Sequence, residues 1–82
     1  MSPRQIPKHL GQKLRIIREW KGWSLDEMAE AVGKKDPSRR TRVYEWEQGK
    51  RQPDLPTLLA YARLADVMVE NLIDDNLELK IR

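Results

Sequence analysis

Apolar residues recur at helical spacing near the start of the chain. Leu10, Leu14 and Ile17 stand four and three residues apart, the spacing of one face of an α-helix. This pattern predicts an amphipathic helix over residues 8–21 that ends at Gly22.

The next segment carries the signature of a second, shorter helix. Ser24 is followed three positions later by Glu27, a capping box in which each side chain accepts a hydrogen bond from a free amide at a helix start. Gly33 then provides the residue type that best adopts the left-handed conformation at a helix end. Between these signals, apolar residues follow the spacing of one helical face: Leu25, Met28, Ala29 and Val32.

A third helix is predicted over residues 37–48. Asp36 and Pro37 are typical of a helix start, because Asp accepts from a free amide and Pro presets the backbone angle. Ser38 is an alternative cap. A helix this polar gains little from burial, so its surface is either simply solvated or kept polar for a binding function. Its large candidates for burial are Val43 and Trp46.

Two more helices complete the predicted helical core. Pro53 and Asp54 begin a fourth helix, and a fifth over residues 69–74 adds Leu72 and Ile73. The fourth helix carries a broad apolar stripe that we expect at the centre of the core: Leu55, Leu58, Leu59, Ala62 and Ala65.

The C-terminal segment has a different periodicity. Leu77, Leu79 and Ile81 alternate with charged residues, which is typical of a short edge strand. A second interpretation is that this tail folds back over Ile16 and Trp20, two apolar residues on the far side of the first helix.

These elements predict an all-α fold in a single domain. A chain of 82 residues buries only about 60% of its unfolded surface, which leaves little room for a deep cleft. We expect an N-terminal arm over residues 1–8, a helical core over residues 9–74 and a C-terminal tail over residues 75–82.

The composition excludes several kinds of site. The chain has no cysteine and one histidine, His9, so we expect neither a disulfide nor a metal site, and no cofactor. Scattered carboxylates without a phosphate-binding glycine motif do not predict an enzyme. The apolar runs are shorter than the roughly 18 residues of a membrane span, and no signal core is visible. We therefore expect a cytoplasmic protein with no membrane partner.

Charge is unevenly distributed, although the net charge is only +3. Residues 1–22 contain six basic and one acidic residue, and residues 34–52 contain seven basic and three acidic residues. Acidic residues predominate over residues 23–33 and 53–82. Basic blocks are often merely solvated surface, but this asymmetry is also typical of a face that binds a polyanion.

Two stretches of the sequence carry a known pattern. They are LGQKLRIIREWKGWSLDEMAEAVG and VYEWEQGKRQPDLPTLLAYA. The positions that carry the pattern are Gly11, Arg18, Gly22, Ser24, Ala29, Gly33, Trp46, Glu47, Gly49, Pro53 and Leu58. Over residues 10–73 the chain resembles the Cro and C1-type (XRE-like) helix-turn-helix family of phage and bacterial repressors.

The resemblance implies a compact five-helix, lambda-repressor-like domain that binds double-stranded DNA through the third helix and regulates transcription. It also implies a structural ion pair between Arg18 and Glu47, and a nucleoid-associated protein of a bacterium or phage. Arg42 is an equal candidate for base and phosphate contact. The implied base-contacting residues are Arg39, Arg40, Thr41, Arg42 and Glu45, and the implied phosphate-binding residues are Ser24, Lys34, Lys35, Tyr44, Lys50 and Arg51.

The chain departs from the family pattern in three places. About four additional residues separate Gly33 from Glu47, close to one helical turn, so they either lengthen the third helix or enlarge the turn before it. Leu25 stands where the family often has a phosphate-binding glutamine, so that contact is expected to be missing or replaced. Residues 65–68 also differ, which leaves the start of the fifth helix open.

A homodimer is expected, because one domain presents one recognition helix and tight discrimination usually needs two half-sites. We predict its contacts on the tail, as an edge strand, and near the fifth helix, at Met68, Leu72 and Ile73. The main alternative to DNA binding is a protein-interaction module, such as an antitoxin-type domain that binds a protein partner. Salt-sensitive DNA binding separates the two hypotheses.

Overall fold

The computed structural model describes residues 6–81 and contains no β-strand in that range. Residues 1–5 of the predicted N-terminal arm, and Arg82, lie outside the described residues. The helices in chain order are α1 (Leu10–Lys21), α2 (Leu25–Ala31), α3 (Arg39–Glu47), α4 (Leu55–Ala65) and α5 (Val69–Ile73). The all-α prediction is confirmed. None of the helices in the described range is long and apolar enough to cross a membrane.

Two helices begin at side-chain caps. The Ser24 hydroxyl accepts from the Glu27 amide at 3.1 Å, and the Glu27 carboxylate accepts from the Ser24 amide at 2.9 Å, which confirms the predicted capping box before α2. Before α4, the Asp54 carboxylate accepts from the Thr57 amide at 2.9 Å. Each cap satisfies amides that have no partner inside their helix.

The start of α3 differs from the prediction. The helix begins at Arg39, and Asp36 does not cap it, because its carboxylate accepts a hydrogen bond from the Ser38 hydroxyl at 2.6 Å. Residues 34–38 lie outside the helices, so the additional residues of this segment enlarge the turn and do not lengthen α3. The turn begins at Gly33, whose φ of +87° is a left-handed conformation that glycine adopts at little steric cost.

Helices α1 and α4 contribute most of the buried side chains. Helix α1 packs against α3, α4 and α5, while α2 packs against α3. The buried apolar residues are Leu10, Leu14, Ile17, Met28, Ala29, Val32, Val43, Trp46, Leu58, Tyr61, Ala62, Ala65 and Leu72. They come from all five helices and the turn after α2, so the helices share one core.

The buried face of α4 is rotated from the predicted stripe. Leu55 is 72% exposed and Leu59 is 41% exposed, whereas Thr57 and Tyr61 are buried. The Tyr61 ring packs edge-on against Trp46, with ring centres 6.3 Å apart, and burial raises the pKa of the Tyr61 hydroxyl. The predicted stripe is confirmed at Leu58, Ala62 and Ala65. It was wrong at the two exposed leucines, because it counted aliphatic residues alone and passed over an aromatic side chain with a large apolar surface.

Helix α1 passes very close to the C-terminal end of α3 at Gly11. A Cβ atom at this position would lie 2.5 Å from the Glu47 carbonyl oxygen and 2.8 Å from the Trp46 carbonyl oxygen. These distances are shorter than van der Waals contact, and the obstructing atoms are backbone. Only glycine therefore allows this crossing without displacement of α3.

An ion pair joins the same two helices through their side chains. Arg18 donates from Nε to one Glu47 carboxylate oxygen at 2.7 Å and from Nη2 to the other at 3.0 Å. The hydrogen bond to Glu47 raises the pKa of Arg18. Arg18 also donates to the Trp23 carbonyl at 3.0 Å. The Glu47 side chain is only 3% exposed, so its charge depends on this partner.

Lys13 is buried in the interface between α1 and the C-terminal part of the chain. Its ammonium group donates to the carbonyls of Asn71 at 2.7 Å, Asp74 at 3.1 Å and Leu77 at 2.8 Å. Two of these carbonyls lie at or just beyond the end of α5, where helix carbonyls lack partners inside the helix. One ammonium group thus fixes the end of α5 and the start of the tail to α1.

A carboxylate of the tail binds the two backbone amides that precede α1. The Asp75 carboxylate accepts from the amides of His9 at 2.9 Å and Lys8 at 2.8 Å. These hydrogen bonds hold the pKa of Asp75 below its usual range, and the bond from the His9 amide is the largest cause. The amides before α1 thus donate to a carboxylate of the tail, and Lys13 of α1 donates to a carbonyl of the tail.

The tail is not the predicted edge strand. Residues 77–81 form no strand, and Leu79 and Ile81 pack against the outside of the core. The tail lies beside Ile16 of α1, while Trp20 remains 48% exposed. Alternating apolar residues require one buried side, and here the helices of the same chain provide it.

The residues near α5 that were predicted for a dimer contact differ in exposure. Met68 is 63% exposed and Ile73 is 37% exposed, but Leu72 is fully buried. The prediction for Leu72 was wrong, because α5 has five residues and uses Leu72 to attach itself to the core.

Replacing Arg18 with methionine is expected to lower the free energy of unfolding by about 3 kcal/mol, because the buried Glu47 carboxylate loses its partner. Urea unfolding followed by circular dichroism measures this change. Arg15→Met is the matched control on the same helix, since Arg15 pairs with Glu19 and both side chains are more than half exposed. The control should cost about 0.5 kcal/mol or less. Equal midpoints for Arg18→Met and the wild type would contradict the structural role of the pair.

Candidate nucleic-acid interface

Helix α3 is attached to the molecule through a narrow inward face. Val43 and Trp46 are its buried residues, and they pack where α3 meets α1 and α2. The other residues of α3 are polar or charged, apart from the ring of Tyr44, which is 48% exposed. The exposed residues of α3 are Arg40, Thr41 and Tyr44, and its other residues are half-buried or buried.

The structure places the predicted DNA-contacting residues on α3 and on the segments that flank it. Arg40 and Arg51 are the most exposed of the paired arginines, with 67% of each side chain accessible. The candidates are Arg39, Arg40, Thr41 and Arg42 in the first turn of α3, Tyr44 and Glu45 after it, Lys34 and Lys35 in the preceding turn, Lys50 and Arg51 in the following loop, and Ser24 at the start of α2.

An acidic side chain of α2 pairs with the first two arginines of α3. Asp26 Oδ2 accepts from Arg40 Nη2 at 2.5 Å, and Asp26 Oδ1 lies 3.5 Å from Arg39 Nε. The hydrogen bond from Arg40 holds the pKa of Asp26 below its usual range. Ion pairs therefore connect the N-terminal end of α2 with the N-terminal end of α3.

Further acidic side chains pair with basic residues of the same surface. Glu45, which is predicted to accept a hydrogen bond from a base, lies beside an arginine of the following loop. The pairs are Arg42 with Asp36 at 3.1 Å, Arg51 with Glu45 at 3.5 Å and Lys34 with Asp54 at 3.5 Å.

Hydrogen bonds lower the pKa of two of these carboxyl groups. The Ser38 hydroxyl is the main cause at Asp36, and Thr57 is the main cause at Asp54. Both carboxyls are therefore ionised at neutral pH and act as fixed counter-charges for nearby cations.

The pairing role of these acids was not predicted from the sequence. Asp36 and Asp54 were expected only at helix starts, and Asp26 had no predicted role. The available signal was the acidic block over residues 23–33 next to the basic block over residues 34–52. That block became informative only when α2 and α3 were in contact, since Asp26 and Arg40 are 14 positions apart.

The chemistry of this surface is that of a donor array. Guanidinium groups bind planar or anionic acceptors such as base edges and phosphates through paired N–H donors. Over residues 6–81, no group of three or more His, Asp or Glu side chains is arranged to hold a metal ion. The arginine side chains of this surface supply donors of the kind that bind polyanions.

Two packed helices joined by a turn, with arginines exposed on the second, define a protein of the helix-turn-helix class. A family model described as a helix-turn-helix domain matches residues 9–74, and the chain belongs to that family. Comparison with curated proteins found no match, and comparison with solved structures found none either.

The carboxyl group of Asp26 is expected to titrate below the usual value of about 3.9, and its pKa should rise in Arg40→Ala, which removes the main cause of the shift. Because the folded-state pKa is lowered, the stabilisation from this pair is present above about pH 4 and is lost as the pH falls through the folded-state pKa. NMR titration of the side-chain carboxyl carbons measures both effects.

Asp75 is the internal control for this titration. Its pKa is lowered by the amides of His9 and Lys8, so it should not change in Arg40→Ala. An unchanged pKa at Asp26 in this variant would show that the ion pair does not exist in solution.

Proposed function

We propose that this helix-turn-helix domain binds double-stranded DNA in a sequence-specific manner and regulates transcription, as a repressor of the Cro and C1 type. The observation that carries the proposal is the first turn of α3, which holds three arginines and a threonine and exposes Arg40 and Thr41 to solvent. Membership of the helix-turn-helix family supports it.

The size and side chains of α3 suit the major groove. An α-helix is about 10–12 Å across, and the major groove of B-DNA is about 12 Å wide. Arg40 would donate two hydrogen bonds to guanine, and Thr41 would contact a thymine methyl group or a base edge. Glu45 would accept from cytosine only after leaving Arg51, which lies 3.5 Å away.

The residues that flank α3 would position the domain on the DNA backbone. Lys50 and Arg51 lie in the exposed loop after the helix, and Lys35 is exposed in the turn before it. Contacts from such residues to phosphates add affinity without sequence information. Ser24 and Tyr44 would contribute neutral donors to the same backbone.

We also propose that the protein binds DNA as a homodimer. One domain presents a single α3, and discrimination by this class of protein usually requires two half-sites about one helical turn apart. Met68 and Ile73 are exposed at and near α5 and are available for contact with a second copy.

A protein-interaction module is the second candidate. The observation that favours it is the pair of Leu55 and Leu59, which lie one turn apart on α4 and are 72% and 41% exposed. Exposed apolar residues at this spacing are typical of a surface that contacts another protein.

Selection from a pool of random duplexes is expected to return a preferred site, and inverted repeats among the selected sequences are expected for a dimer. Affinity for this site should fall steeply with salt, with a slope of log affinity against log salt of about −0.9 for each phosphate contacted. Flat affinity for every duplex between 50 and about 200 mM salt, the range over which such contacts are lost, would exclude DNA binding and favour the interaction module.

Arg40→Ala is expected to weaken binding to the preferred site by about 1–3 kcal/mol and to relax the preference at one base pair. Lys50→Ala is the matched control, because it removes one positive charge from the loop outside α3 and should weaken binding to all sequences similarly. Fluorescence anisotropy with single-base variants of the selected site gives both results. Sequence-independent losses in both variants would assign Arg40 to phosphate contact.

A further inference from the structure

Asp26 is the acidic side chain placed closest to the proposed base-contacting arginines. It lies in the first turn of α2, outside the capping box formed by Ser24 and Glu27, so the start of α2 does not require it. Its side chain is 34% exposed. An exposed carboxylate beside a DNA-binding helix would repel the phosphate backbone, which calls for a compensating role.

We propose that Asp26 is a specificity-determining residue, which holds Arg40 in an intramolecular ion pair that unspecific DNA must break and that the preferred site leaves intact. This inference rests on the proposed DNA-binding function. It deepens that function by assigning discrimination to a residue that is expected to touch neither a base nor a phosphate.

The geometry allows the preferred site to keep the ion pair. A guanidinium group has five N–H donors, and the recorded contact with Asp26 uses the Nη2 atom of Arg40. The remaining donors suffice for a two-pronged contact with guanine. At such a site the carboxylate orients the guanidinium, and no contact is lost on binding.

Non-specific DNA binding, in contrast, disturbs the ion pair between Asp26 and Arg40. Affinity for unspecific DNA depends on phosphate contacts, and a phosphate approaching Arg40 competes with Asp26 for the same positive charge. The pair must then be broken, or the carboxylate must stay close to the phosphate. Either event weakens unspecific complexes, while the preferred complex avoids it.

Arg39 increases the demand on the same carboxylate. Its Nε atom is buried without a hydrogen-bond partner, and Asp26 Oδ1 lies 3.5 Å away, close enough for Coulomb attraction although not a well-formed hydrogen bond. Arg39 also donates from Nη1 toward the carbonyls of Lys35 and Asp36, which hold it without Asp26. Neutralising Asp26 would therefore release Arg40, and not Arg39, toward phosphates.

The test compares Asp26→Asn with the wild type on two probes, the selected site and a scrambled duplex of the same length and composition. The substitution keeps the size of the side chain and removes its charge. Affinity for the scrambled duplex should rise more than affinity for the selected site, so that the ratio of the two affinities falls by about two- to fivefold, as expected for one exposed ion pair.

Two controls separate this effect from net charge and from structure. Glu30→Gln makes the same change in net charge at an exposed residue of the same helix as Asp26, near its other end, and it should leave the ratio unchanged. In an Arg40→Ala background, Asp26→Asn should also leave the ratio nearly unchanged, because the partner is absent. Thermal unfolding establishes that each variant is folded, and Asp26→Ser is the second neutral variant if Asp26→Asn is not.

The outcomes distinguish this inference from the function on which it rests. If the wild type discriminates between the probes but Asp26→Asn gives an unchanged ratio, or the same change as Glu30→Gln, the inference fails and DNA binding stands. If the wild type binds neither probe, both fail. A fall in the ratio that persists without Arg40 would also overturn it, since the effect would not pass through that side chain.

Discussion

Helix α3 depends on the close crossing with α1, in addition to its packing against α2, because its own inward face is small. Its buried residues are Val43 and Trp46, and the rest of the helix is committed to polar side chains. Gly11 lets the backbone of α1 approach the carbonyls of Trp46 and Glu47. Arg18 then supplies the charge that a nearly buried Glu47 requires. Without this close crossing, the exposed arginines would project from a helix with few apolar contacts.

Helix α1 also organises the opposite end of the chain. Lys13 donates to three carbonyls around the end of α5 and the start of the tail, and Asp75 of the tail accepts from the two amides that precede α1. The tail thus satisfies backbone groups just before α1, and α1 satisfies backbone groups of α5 and the tail. Because the same helix contacts α3, the presentation of the candidate interface and the attachment of the tail share one support.

The candidate interface is a surface of paired charges more than a plain basic patch. Asp26, Asp36, Glu45 and Asp54 each lie beside a basic side chain that was predicted to contact DNA. A basic patch without such acids would attract any polyanion over the range of the Debye length. Paired arginines keep their donors but give up part of their long-range field, so a ligand must offer well-placed acceptors to compete. This physical property connects the geometry with a function that requires discrimination.

Local signals in the sequence suffice to predict where most of the helices lie. Apolar spacing, the Ser24 capping box and the position of Gly33 predict α1, α2 and the turn after them, because such signals act over a few residues. The polar character of α3 and the basic block around it also predict where a polyanion would bind. The start of α3 was misjudged by two residues, because both Asp36 and Ser38 satisfy the local requirements of a cap, and the hydrogen bond between them removed Asp36 from that role.

Other features depend on contacts between parts of the chain that are far apart in the sequence, and local patterns do not predict them. The alternation of Leu77, Leu79 and Ile81 is compatible with an edge strand or with an irregular tail that covers a core. The tail is irregular because Leu79 and Ile81 pack against the helical core of the same chain. The burial of Lys13 and the cap by Asp75 join groups 58 or more positions apart, beyond the reach of any local pattern. The pairing of Asp26 with Arg40 likewise required α2 and α3 to pack, since an ion pair forms from proximity in space and leaves no spacing rule in the sequence.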